Sequence, residues 1–107
     1  MGLLLGNRHI TREAIMKPED FGLTVEVEDI TPEMAEKYLS NNFKHREITQ
    51  ERVNKFVNKM HDSEWKFNGK VIIFDDKGML LNGQHRLTAV VQSGVTLRTL
   101  VVRGVTQ

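Results

Sequence analysis

Cysteine is missing from all 107 residues, so no disulfide can staple this chain, and a reducing cytoplasm is the compartment that fits. Proline occurs only twice, and with 39% hydrophobic and 27% charged residues the composition is that of a folded domain rather than a disordered tail. No apolar run approaches the length of a bilayer span, and Leu3-Leu4-Leu5 is too short for a signal-peptide core, so no membrane partner is expected. An excess of charge is also lacking. Lys and Arg number 15 against 14 Asp and Glu, a formal +1, which gives no basic stripe for generic electrostatic DNA binding. The four histidines, His9, His45, His61 and His85, include no pair at metal-ligand spacing, so no zinc site is expected. Repeats and low-complexity tracts are absent, and the length suits one domain with a single modest core.

What is present divides at about residue 22. Residues 1–22 read as an N-terminal arm, locally basic through Arg8, His9, Arg12 and Lys17, with one or two helical turns over Thr11-Arg12-Glu13-Ala14-Ile15-Met16 before Pro18. Residues 23–107 read as the folded domain. Leu23-Thr24-Val25-Glu26-Val27 alternates with the period of a half-buried strand. Thr31 as N-cap and Pro32 at the first helical position start a helix with Met34, Ala35, Tyr38 and Leu39 on one face. A second helix follows Thr49, with Ile48 and Val53 at staple spacing and Val53, Phe56, Val57 and Met60 as its apolar stripe. Trp65 and Phe67 lead into a turn at Asn68-Gly69, as core or lid residues or as stacking platforms. Val71-Ile72-Ile73-Phe74 and Met79-Leu80-Leu81 form a hairpin around Asp75-Asp76-Lys77-Gly78, where the two aspartates are turn formers rather than a metal pair. A third helix carries Leu87, Val90 and Val91 inward and ends at Gly94, and residues 97–103 make a last strand. The sum is an α+β domain with a small mixed β-sheet and packed helices.

The join between hairpin and third helix holds the candidate site. Asn82, Gly83, Gln84, His85 and Arg86 stand between apolar runs, where the first amides of a helix are unpaired and backed by the positive end of its dipole. Phosphate is the usual guest of such an end. Gly83 allows close backbone approach, Arg86 brings a planar fork of donors, and Gln84 and His85 add polar contacts. A plainer reading makes Asn82 an N-cap, Gly83 a turn residue and Arg86 a solvated first-turn side chain. Lys44, His45 and Arg46 form a basic loop before the second helix, read either as a clamp on the same phosphates or as a solvated charge run.

Residues 81–89, Leu-Asn-Gly-Gln-His-Arg-Leu-Thr-Ala, resemble the D-G-Q-H-R-L-x-A signature of the ParB/sulfiredoxin-like superfamily, in particular the small ParB-like proteins of phages and actinobacteria. The order of elements over residues 23–105 is similar too. The resemblance implies a ParB/sulfiredoxin-like fold in a bacterial or phage-infected cytoplasm. It implies a nucleotide partner, ATP or CTP with Mg, at Asn82, Gly83, Gln84, His85 and Arg86 with help from Lys44, His45 and Arg46, and leaves NTP hydrolysis or phosphotransfer open. Two departures stand out. The opening acidic residue is here Asn82, a poorer ligand for a hard cation, and without cysteine the chemistry of sulfiredoxin itself is excluded. Glu26, Glu28 and Asp29 are carboxylates available to a cation, but no spacing singles one out. The alternatives are a DNA-binding or nuclease module of the ParB-like kind, and a phage accessory protein acting through protein contacts. A homodimer is left open.

Overall fold

The structure, a computed structural model, describes residues 16–41, 47–61 and 71–106, with no side chain described at residue 61. Lys44, His45, Arg46, Trp65 and Phe67, together with the expected helical turns over residues 11–16 except Met16, lie outside the described residues.

After one 3-10 turn, Pro18–Phe21, the elements are β1 (Thr24–Ile30), α1 (Pro32–Ser40), α2 (Gln50–His61), β2 (Val71–Asp75), β3 (Leu80–Asn82), α3 (Gln84–Ser93) and β4 (Leu97–Val105). The expected α+β order is thus realised as a four-stranded mixed sheet in the order β1-β4-β2-β3. β1 and β4 pair antiparallel from Thr24 opposite Arg103 to Ile30 opposite Leu97. β2 runs parallel to β4, and β3 returns antiparallel to β2. Parallel neighbours cannot be joined by a tight turn, so the chain leaves β2 through β3 and crosses over by α3 before entering β4.

Local chemistry explains the boundaries. The Thr31 hydroxyl accepts the Met34 amide at 3.2 Å, and Pro32 follows it at the first helical position. The Asp75 carboxylate accepts the amides of Lys77 and Met79 at 2.9 and 2.8 Å, which makes it a turn former as expected. Gly94 closes α3 at φ 73°, its amide bonded to the Val90 carbonyl. The Asn41 carbonyl accepts the Leu80 amide at 2.8 Å and ties the end of α1 to β3.

One core joins the helices to one face of the sheet. Ile30, Ile72, Phe74, Leu80, Leu97 and Val101 meet Ala35, Val53, Met60, Leu87, Ala89 and Val90, all buried. Above them the Arg103 guanidinium lies against the rings of Tyr38 and Phe74, 5.7 and 5.1 Å from their centroids, while the two rings meet edge to face at 5.0 Å. Its Nη1 donates to Glu28 at 2.5 Å, and the Tyr38 hydroxyl donates to the same carboxylate at 2.8 Å. Burial pushes the Glu28 carboxyl up, but these hydrogen bonds and the charge of Arg103 outweigh it and hold it below the ordinary value. A lowered carboxyl contributes stability that is present above the ordinary value of 4.5 and lost as pH falls through the folded one. No described helix is long and apolar enough to cross a membrane.

Candidate functional site

β3 ends at Asn82 and α3 begins at Gln84, so the chain turns from strand to helix in a single residue, Gly83. That residue, not Asn82, is the N-cap. It sits at φ 112° and supplies no side-chain hydrogen bond to the helix, while its carbonyl accepts the Leu87 amide at 2.9 Å. The first turn of α3 carries no acidic residue. A helix starting this way has no side chain of its own cap to satisfy the leading amides.

The reason for glycine differs from the expected one. A Cβ at Gly83 would stand 2.3 Å from Ile72 Cδ1 and 3.5 Å from Ile72 Cα. The missing side chain therefore makes room for β2, not for a ligand, and the positive φ adds a second demand for glycine.

Arg86 also departs from expectation. It is neither a solvated first-turn side chain nor an open fork, being only 7% exposed. Its Nη1 is buried and has no hydrogen-bond partner among the described residues. None of the ion pairs among the described residues involves Arg86, and burial alone pulls its guanidinium below the ordinary value. The periodicity carried a signal for this. Residues 86, 89, 90 and 93 follow i, i+3, i+4, i+7, which puts Arg86 on the same face as buried Ala89 and Val90.

His85 is half-buried and bonded across to the second helix, its Nε2 accepting the Thr49 amide at 3.2 Å just before α2 begins. The acceptor role requires a neutral ring with its proton on Nδ1. Burial, then the charge of Arg52, holds the imidazole below its ordinary value of 6.5. Farther along, Gln50 and Gln92 exchange amide hydrogen bonds of 2.8 and 3.3 Å between α2 and α3. The two helix starts are thus brought together around His85. A folded value below the unfolded one means that His85 contributes stability fully above pH 6.5, and that this is lost as pH falls through the folded value. Denaturant unfolding between neutral and mildly acidic pH should show wild type losing more stability than His85→Gln, whose carbonyl can still accept from Thr49. Parallel pH profiles for the two proteins would remove His85 from this role.

Of the remaining expected site residues, Gln84 is half-buried at the first helical position, its carbonyl accepting the Thr88 hydroxyl at 2.8 Å, and Asn82 is exposed opposite Ile73. The three carboxylates available to a cation are each near an arginine. Asp29 pairs with Arg98 at 2.7 Å, Glu28 pairs with Arg103, and Glu26 lies 3.9 Å from Arg103. Strand alternation also sets Asp29 on the opposite face of β1 from the two glutamates. Among the described residues no group of three His, Asp or Glu side chains could hold a metal ion.

The knot of Glu28, Tyr38, Phe74 and Arg103 escaped sequence reasoning, because it joins four elements, β1, α1, β2 and β4, spread along most of the chain. Parity within β4 was its one signal, since Arg103 shares the face of Val101 and Leu97. No protein-family model, curated protein or solved structure matches this chain.

Proposed function

We propose that this is a ParB/sulfiredoxin-like domain that binds a nucleotide through its phosphates at the start of α3. A single observation carries the reading. A cationic side chain three residues into a helix whose N-cap, Gly83, offers no side-chain hydrogen bond is buried, and its Nη1 has no partner among the described residues. A buried donor left unpaired is costly, a buried charge more so, and an anion relieves both costs at once. The leading amides of α3 favour the same charge. Asn82 at the strand end and the donor face of His85, its Nδ1–H, complete the set of polar groups. The motif likeness over residues 81–89 points the same way. Turnover is not part of the reading, because the carboxylates of β1 are matched with arginines rather than gathered for a cation.

The test is titration calorimetry with ATP, CTP and GTP, with and without magnesium, on wild type and Arg86→Met. Binding in the micromolar range that weakens roughly ten- to a hundredfold in the variant, the loss expected for charge-assisted hydrogen bonds, supports the assignment. Equal affinity in both proteins takes Arg86 out of the site. Salt-sensitive duplex binding without nucleotide dependence transfers the function to DNA.

A further inference from the structure

The helices use one face of the sheet, and the other has its own pattern. Alternation places Val25 and Val27 of β1, Leu100 and Val102 of β4, and Val71 and Ile73 of β2 on that second face. Register then orders them. Val25, Val102 and Ile73 lie side by side across three strands, and Val27, Leu100 and Val71 form the adjoining row. Val25 and Val27 are 43% and 55% exposed, and the other four are half-buried. None of the six belongs to the core or to the side chains packed against it. The next position along is Asp29 opposite Arg98, joined by hydrogen bonds of 2.7 and 3.2 Å. Single exposed valines are ordinary, whereas two registered rows make a contiguous patch.

We propose that this face is the contact between two copies of the chain, packed sheet against sheet about a two-fold axis. The rows carry no charged or hydrogen-bonding side chain, so an occupant must bring an apolar surface and leave no charge at the centre. A second copy does so by symmetry, because an isologous contact sets the patch against itself. The rim is self-complementary as well. Its carboxylate and guanidinium neutralise each other, so a two-fold brings together two neutral pairs rather than like charges. A strongly acidic or basic partner finds no net charge here to recognise. Six side chains over three strands about 4.8 Å apart cover on the order of 300 Å² per copy. That is well under the roughly 800 Å² per partner of a standard interface, so the association is weak and sensitive to one charge.

Sedimentation equilibrium of the full chain, from roughly ten micromolar to one millimolar, reads the association directly. The expected result is a concentration-dependent monomer–dimer equilibrium. Val27→Asp raises its dissociation constant at least tenfold while the thermal midpoint stays near that of wild type. A mixed sample of labelled and unlabelled wild type needs no variant, and its isotope-filtered NOEs should link methyls of the six residues across chains. A monomer at every concentration overturns the proposal. So does a dimer whose inter-chain NOEs lie elsewhere, or a monomer whose six methyls contact residues 1–15.

Discussion

Gly83→Ala lowers the stability of the fold by about 2–4 kcal/mol, and Ile72→Val in the same chain returns part of that loss. Two costs add in the single variant. Alanine at φ 112° is held in a region that L residues rarely adopt, worth roughly 1–3 kcal/mol. Its methyl also meets Ile72 Cδ1 at 2.3 Å, in a side chain with no exposed surface and little room to move, and overpacking of this kind costs roughly 1–3 kcal/mol. Ile72→Val deletes the colliding Cδ1 and leaves Cγ2, which the new methyl would approach at 3.4 Å, an ordinary contact. Alone it costs about 0.5–1.5 kcal/mol, the usual penalty for one buried methylene. The steric part should therefore vanish in the double variant while the backbone part remains, giving a coupling of about 1–2 kcal/mol in a double-mutant cycle by denaturant unfolding. Additivity within about 0.5 kcal/mol would falsify the packing account, leaving φ as the sole reason for glycine.

Arg86→Met moves stability and binding in opposite directions. In the ligand-free protein the guanidinium is a buried cation whose Nη1 has no hydrogen-bond partner among the described residues, and burial disfavours its charge. Methionine keeps a stem of similar length and apolar contact while removing the charge, so the variant should be more stable by about 1–3 kcal/mol without ligand. Nucleotide works against that advantage. A ligand at a hundred times its dissociation constant stabilises wild type by about 2.7 kcal/mol, and a variant that binds it ten- to a hundredfold more weakly by only about 0.4–1.4 kcal/mol. Thermal melts of both proteins should therefore show the lead of the variant shrinking by about 1.3–2.3 kcal/mol when nucleotide is added. If Arg86→Met is less stable than wild type without nucleotide and gains as much as wild type when nucleotide is added, Arg86 is a structural residue and the site lies elsewhere. Arginines kept for packing and arginines kept for a ligand differ in the sign of this effect.

Most of the architecture was legible in the chain because its cues are local. Thr31-Pro32 starts α1 through one hydroxyl and one ring, and the stripe of Val53, Phe56, Val57 and Met60 sets the inward face of α2. Asp75 and Gly78 make the hairpin turn within five residues, and Gly94 stops α3. The candidate site was legible in place but not in detail. Its position between β3 and α3 follows from the apolar runs on either side. The burial of Arg86, the contact of Gly83 with Ile72 and the bond from Thr49 to His85 do not, since they are set by tertiary packing, the last two across 11 and 36 positions of the chain.

The residues by themselves determined that this is an α+β domain, where most of its helices and strands begin and end, and that a strand passes into a helix across residues 82–86. Periodicity, caps and turns act over a few residues, and a linear chain displays them openly. Only the tertiary structure decided that β4 lies between β1 and β2, that Ile72 occupies the space beside Gly83, and that Arg86 is enclosed with its Nη1 unpaired among the described residues. Those outcomes come from the packing of segments distant in sequence, where the space left by one side chain is set by another that no local pattern names.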